Sequence, residues 1–350
     1  MALGAALAGL WACAAHDGAA RSAASSATLP AEAAPASGTP LTPDPDRVAT
    51  SVHVALGCFF ELSIEGVAEA DAGRLLAEAT DEIDRVEDVL GGWRDDTDLA
   101  RLNAQAASQP VAVPGLLFDA VSTALELGRA TEGAFDVTVA PLVDAYGFRR
   151  GEARVPPPDE LQRLAACVGA SHLRLDPAAR TIAFDRPGVA IDLDGLNKGI
   201  AVDRVIARLR AAGVTDAWIS AGGSTIGSIG PPAPLPPRGV SITGPDGEAH
   251  ARVELRDAVL STSGNWRHVI VVDGHEYGAI FDPRTGRPVE ADVISATAVA
   301  PRGDESEAYA KAAVVLGAEG AARLAAARDA RFVLLLRDPA ASGGIAVQRF

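Results

Sequence analysis

From Val48 onward the chain carries two kinds of apolar pattern, and their order sets the expected elements. Ser51–Ile64 alternates in the manner of a strand or strand pair, with Gly57-Cys58 near its middle. Asp71 is placed to cap a helix that runs to Leu90, with Leu75, Leu76, Ala79, Ile83, Val86 and Leu90 as its apolar face. Gly91-Gly92 ends that helix and Trp93 follows in a loop. A second helix is predicted over Leu116–Ala130, then a loop entering a strand over Thr131–Thr138, with Pro141 ending regular pairing. Asp159–Val168 predicts a short helix, and Ser171–Arg174 with Thr181–Phe184 predicts a hairpin.

Ile191–Asp194 alternates as a strand, Gly195 breaks the pattern, and a helix runs from about Lys198 to Ala212 with Gly213 just past it. Short strands follow at Asp216–Ser220, Val240–Thr243, Ala251–Leu255 and Val259–Thr262, then a pair at His268–Val272 and Tyr277–Phe281, then Val293–Val299. Asp304 is placed to cap a helix to about Leu316; a last helix over Glu319–Asp329 and a strand over Phe332–Leu336 close the chain. Mixed helices, strands and hairpins predict an α+β class: a single mixed or antiparallel-sheet domain with packed helices, over residues 48–350.

Charge narrows the partners. The chain has 350 residues and a formal net charge of -15, which argues against a nucleic-acid backbone as partner. Cys13, Cys58 and Cys167 have no metal-type spacing and build no disulfide framework. Ala2–Ala12 is apolar and too short to span a bilayer. With Leu10-Trp11-Ala12-Cys13 it resembles a bacterial lipoprotein signal, so residues 1–13 predict export to the periplasmic side of a membrane and a lipid anchor at Cys13; the other reading is an uncleaved Ala-rich tail. Residues 14–47, rich in Ala, Ser, Thr and Pro, read as a flexible tether.

The chemistry is concentrated at Ile191–Asp203, where Asp192, Asp194, Gly195 and Lys198 meet at a turn into a helix. Free N–H groups and a positive helix end there suit a phosphate; an ordinary capped turn with solvated charges is the other reading. Gly222-Gly223 permits close backbone approach to a ligand but is not a G-x-G-x-x-G fingerprint. The sequence holds no P-loop, no G-x-S-x-G elbow and no His-rich metal motif.

Several motifs in order carry a resemblance: Leu99-x-Arg101-Leu102-Asn103; Gly133–Thr138 with Pro141-Leu142 and Gly147-Phe148; Asp192-Leu193-x-Gly195-Leu196-x-Lys198-Gly199 with Asp203; Gly222-Gly223; Thr262-Ser263-Gly264; and Asp282-Pro283-Arg284-Thr285-Gly286. Together they resemble the FAD:protein FMN transferase family, the ApbE-type flavin transferases. The resemblance implies a substrate, FAD, split at its pyrophosphate with Mg²⁺, FMN moved onto a Ser or Thr of an acceptor protein, and AMP released. Catalysis is then positioning plus neutralisation of phosphate charge. The resemblance further implies that Leu56, Trp93, Ala134, Phe135, Asp136, Asp192, Lys198 and Ile280 surround FAD, with Asp192 and Lys198 in the catalytic role. For Phe135 and Ile280, plain core packing is the competing reading.

The metal side departs from the family pattern. The resemblance puts a backbone carbonyl of the 192–199 motif, at Gly195, with an Asp and a Thr one helical turn apart near the C-terminus; this chain has Glu307 and Lys311 there. A charged lysine is no ligand. Glu before Lys at this spacing favours an ion pair, and Asp304-x-x-Glu307 also reads as a capping box. Two expectations follow: the Lys311 ammonium replaces one Mg²⁺ position, or it pairs with Glu307 and closes the site. The family's histidine before I-x-D-P gives way to Gly278-Ala279, and its Asp after Gly-Gly is Ser224. The alternative function is therefore a non-catalytic FAD-binding relative that has lost part of the Mg²⁺ site.

Overall fold

The computed structural model of the protein describes residues 41–231 and 235–350. The signal-like segment 1–13, its Cys13, and the tether up to residue 40 lie outside the described residues. Eight strands form one sheet: β1 (Pro43–Ala55), β2 (Cys58–Val67), β3 (Ala217–Ala221), β4 (Thr225–Ile229), β5 (Val259–Gly264), β6 (Val293–Ala300), β7 (Arg331–Arg337) and β8 (Ile345–Arg349). Their spatial order is their chain order, and every neighbouring pair is antiparallel. The molecule is thus a long meander whose connections carry everything else, and the α+β class holds.

Between β2 and β3 the chain inserts α1 (Glu69–Leu90), α2 (Asp98–Gln105), α3 (Gly115–Ala130), α4 (Ala140–Tyr146), α5 (Pro158–Ala165) and α6 (Asn197–Ala211). The helix α7 (Gly303–Ala327) joins β6 to β7. The two faces of the sheet are divided by the two-residue period of the strands. In β7, Phe332 and Leu334 join the large core with α1, α6 and α7, whereas Val333 and Leu335 pack under the hairpin Arg238–Thr243/Ala249–Leu255. Central strand β6 is buried at all eight positions, Ser295 and Thr297 included, so it shows no polar face. A third cluster, around Tyr146, Phe148 and Phe281, joins α4 to the segment 265–292.

Glycines set how closely the helices approach. A Cβ on Gly227 would stand 2.5 Å from Val202 Cγ1, so α6 settles directly on β4. Gly199 in the first turn of α6 and Gly303 at the start of α7 meet backbone to backbone; a Cβ on either would overlap the other. Asp203, one turn along α6, accepts hydrogen bonds from the N–H of Gly303 (2.7 Å) and of Asp304 (3.3 Å). The exposed donors of the α7 N-terminus are therefore satisfied from α6.

Several expectations are corrected. Asp71 is not the cap of α1, which begins at Glu69; its carboxylate instead accepts from the Thr42 N–H at 2.9 Å. The first strand starts at Pro43, inside the stretch read as tether. Asp136 leads into a 3₁₀ turn and then α4, not a strand, and Pro141 sits in the first turn of that helix, where it costs no hydrogen bond. Ile191–Leu193 is extended but has no strand partner; the Asn103 side chain supplies both hydrogen bonds to Ile191, each 2.8 Å. Asp304 is not a cap, and Glu307 does not close a capping box. The expected division into two C-terminal helices holds: the span Gly303–Ala327 breaks at Gly317, where φ is +72°.

The Gly199–Gly303 contact predicts a sharp contrast. Gly303→Ala lowers stability by about 1–3 kcal/mol through overpacking. Gly73→Ala, on α1 with open space around its Cα, raises it by about 0.5–1 kcal/mol. Urea unfolding of both variants checks this, and equal effects would contradict the packing assigned to Gly303.

Candidate functional site

The crossing of α6 and α7 brings the sequence-predicted residues together. Lys198, at the start of α6, donates to Ser224 Oγ at 2.7 Å. Ser224 closes the Gly222-Gly223 turn between β3 and β4, where φ is +59° and +65°, and its carbonyl accepts from Thr262 N–H at 2.8 Å. The Gly-Gly, Lys198 and Thr-Ser-Gly motifs are thereby neighbours, although far apart in the chain.

Glu307 lies under this turn on α7 and is 1 % exposed. Its Oε1 accepts from Thr225 Oγ1 at 2.6 Å, and Thr225 Oγ1 lies 3.3 Å from Ser261 Oγ on the paired strand. Its Oε2 is buried without a hydrogen-bond partner; Lys311 Nζ, one helical turn on, is 3.6 Å away. The Lys311 stem crosses Gly195, with Cε 3.1 Å from the place a Cβ would take and Phe135 Cε2 at 3.5 Å. A side chain at 195 would strike the lysine. Burial holds the Lys311 ammonium below its usual range, and the Glu307 carboxylate works against that shift.

The acids of the Asp192–Lys198 turn face a different cation. Asp192 Oδ1 accepts from Asp194 N–H at 2.8 Å, and its Oδ2 lies 3.6 Å from Arg149 Nη1. Arg149 also pairs with Asp144 at 2.8 Å and is nearly buried. Burial first, and then the Asp192 carboxylate, push the Asp194 carboxyl upward, while Arg149 opposes this. Gly92 is pressed against this pair: a Cβ there would be 3.0 Å from Asp194 Oδ1 and 3.3 Å from Arg149 Nη1. The next residue, Trp93, has its carbonyl held by Arg150 and its side chain 51 % exposed.

The remaining predicted residues are more dispersed. Asp136 uses Oδ1 to accept from the N–H and hydroxyl of Thr138, at 2.8 and 2.6 Å. Ala134 and Phe135 are buried in the large core, and Ile280 packs against it. Leu56 forms the β1–β2 turn with φ +51°, its N–H donating to Glu87 Oε1 at 2.8 Å. Cys58 follows, its thiol pushed up to about 11 by burial, so it stays protonated. Arg149, Thr225 and Ser261 were not found from the sequence. Arg149 directly follows Gly147-Phe148, and Thr225 directly follows Gly222-Gly223-Ser224, which is the only signal either carries. A separate cleft of about 340 Å³, lined by Arg129, Arg302, Arg328, Glu126, Glu305 and Tyr309, contains none of these motif residues.

The model of the ApbE family matches residues 50–335. The chain belongs to the ApbE family. An FAD:protein FMN transferase of Klebsiella pneumoniae (strain 342) is 31% identical over 274 residues, covering 76% of this chain and 78% of that one. The enzyme of the same description from Vibrio cholerae is 30% identical over 302 residues, covering 83% and 89%. The solved flavin transferase ApbE from Vibrio cholerae superposes with a TM-score of 0.75 at 27% identity, covering 87% of this ApbE-family chain and 96% of the other.

Asp203, which ties α6 to α7, yields a pH prediction. Burial pushes its carboxyl up from 3.8 to about 7, against the pull of the Gly303 and Asp304 N–H groups. Between those values the unfolded chain has released a proton that the native chain keeps, so this group's contribution to stability falls as pH rises and is flat above about 7. The stability of the wild type relative to Asp203→Asn is therefore greatest near pH ~4 and declines toward ~7. Urea unfolding across that window measures the difference; a flat difference contradicts the assignment.

Proposed function

We propose that this ApbE-family chain is a transferase of the FAD:protein FMN transferase type, moving FMN from FAD to a Ser or Thr hydroxyl of an acceptor protein. The observation that carries the reading is the convergence of Lys198, Gly195, Glu307 and Lys311 at the Gly199–Gly303 crossing, beside the Gly222–Ser224 turn. Two ammonium groups, a helix N-terminus and a glycine turn make a place for a diphosphate.

The reaction balances simply. The acceptor oxygen attacks the flavin-side phosphorus, the bridging P–O bond breaks, and its electrons leave with AMP; the hydroxyl proton passes to solvent water. This chain's residues position the reactants and offset charge as it moves onto the leaving phosphate. Lys198, aimed by Ser224 Oγ, meets the diphosphate as a point charge. Asp192, fixed by Arg149 and the Asp194 N–H, serves the flavin side. The exposed Trp93 indole is placed to stack on a ring of FAD, and Leu56, Ala134, Phe135, Asp136 and Ile280 complete the surround.

Mg²⁺ is the metal the resemblance implies at Gly195, Glu307 and position 311. The donors here do not fit it. One Glu307 oxygen is committed to Thr225, the other faces an ammonium, and among the described residues no group of three acids, histidines or cysteines could hold a metal ion. No step is routed through a metal. The N-terminal reading stays as proposed from residues 1–13: export, and attachment to a membrane through lipid on Cys13. Cys13→Ser is expected to move the full chain from the membrane fraction to the soluble fraction; an unchanged distribution removes the anchor.

Incubating the protein with FAD and an acceptor domain is expected to give equimolar AMP and covalent flavin, read by chromatography and by flavin fluorescence of the denatured acceptor. FAD binding with no AMP would favour the non-catalytic relative. Lys198→Ala is expected to lower transfer by ~10²-fold while leaving the fold intact, since its ammonium sits at the rim of the core.

A further inference from the structure

The Glu307–Lys311 pair raises a question that a structural ion pair answers poorly. Lys311 approaches a carboxylate oxygen that has no other partner, yet stays 3.6 Å from it, longer than a charge-assisted hydrogen bond. Glu307 Oε1 is fully engaged by Thr225 Oγ1, so the carboxylate is anchored from the sheet side. The lysine is held differently. Its stem lies across Gly195, and its side chain keeps 26 % of its surface exposed. The partly exposed Lys311 side chain therefore reaches the mouth of the site, with the buried carboxylate behind it and the start of α6 beside it. Lys198 stands at that same helix start on Ser224.

Charge decides what this mouth accepts. Within the trio at the crossing, Glu307 answers Lys311 and Lys198 is met by the neutral Ser224 hydroxyl, so one ammonium faces the site without a carboxylate of its own. A divalent cation would have to approach an ammonium already facing the one free carboxylate oxygen, and the nearby acids Asp192 and Asp194 are engaged by Arg149 and by backbone and Asn197 donors.

We infer that Lys311 is a built-in counter-ion for the FAD diphosphate, so that FAD binds this chain without a divalent metal. The inference rests on the flavin-transfer reading and names the group that does a metal's electrostatic work there. Glu307 is a positioning residue: it holds the ammonium over Gly195 and does not itself touch FAD.

The test is FAD binding, read by quenching of flavin fluorescence, on the full chain treated with EDTA and then with or without millimolar Mg²⁺. The wild type is expected to bind FAD with dissociation constants that agree within about twofold in the two conditions. Lys311→Met, which keeps the stem, is expected to weaken FAD binding roughly tenfold or more in EDTA, with Lys311→Arg largely restoring it. The double variant Lys311→Thr with Glu307→Asp is expected to bind FAD weakly in EDTA and to recover on adding Mg²⁺. A wild type that binds FAD roughly tenfold more tightly with Mg²⁺ overturns the inference and leaves the flavin reading standing. So does Lys311→Met binding as tightly as wild type in EDTA. A wild type that binds no FAD in either condition overturns the flavin reading, and the inference with it.

Discussion

The arrangement of the site depends on one contact, the meeting of two helix N-termini at Gly199 and Gly303. Because neither residue has a side chain, the first turns of α6 and α7 touch backbone to backbone. Asp203 then secures the crossing by accepting two N–H groups of α7. Everything chemical hangs on that geometry. Lys198 lies one residue before the contact and Gly195 four before it, while Glu307 and Lys311 lie four and eight residues after it. Helical spacing puts Glu307 and Lys311 on one face of α7, turned toward Gly195. A wider crossing would leave the Lys311 stem without the bare backbone it rests on.

Burial makes the same crossing electrostatically demanding. Asp194, Asp203 and Glu307 are carboxyl groups taken out of water, and each is answered in a different way. Asp203 is met by backbone N–H groups, Asp194 by Arg149 and Asn197, and Glu307 by a threonine hydroxyl and an ammonium. Removing one partner of such a group costs more than the pair contributes, because the remaining charge stays desolvated. The arrangement is thus self-enforcing: Glu307 without Lys311 is an uncompensated buried carboxylate, and Thr225 alone does not balance its charge.

Most of the fold was legible where a pattern is carried by apolar side chains. The β1–β2 hairpin, the apolar face of α1, helix α6 and the buried run of β6 all follow from periodicity. Elements whose reason lies elsewhere in space were not legible. β4 reads Thr-Ile-Gly-Ser-Ile, poor strand composition, yet it is a central strand because Gly227 admits Val202 and Ile206 of α6. The extended segment at Ile191 looks like a strand by alternation, but its hydrogen-bonding partner is the Asn103 side chain rather than a neighbouring strand. The C-terminal β8 is half exposed at the sheet edge and carries little apolar signal. At the site, the motif residues were legible and their partners were not. Nothing local in the sequence ties Arg149 to Asp192 or Thr225 to Glu307: the first contact is made within the folded insertion, and the second only when α7 packs against β4.

A fixed ammonium and an exchangeable metal are not equivalent ways of meeting a diphosphate. A metal ion coordinates oxygens at short range and brings two charges, but its occupancy depends on its concentration. The Lys311 ammonium brings one charge on a covalent stem, independent of any metal concentration, with donors that reorient as the phosphate oxygens move. The lost charge is recovered in part by placement. Lys311 is backed by a carboxylate that Thr225 holds from β4, and its stem rests over the bare backbone of Gly195. Lys198 supplies the second positive charge from the other helix, held by Ser224 where an acid would have neutralised it. The serine after Gly222-Gly223 and the lysine at 311 therefore act in the same direction: one leaves an ammonium uncompensated, the other adds one. Two departures from the family pattern that look like separate losses are, in charge terms, a single adjustment toward an anion.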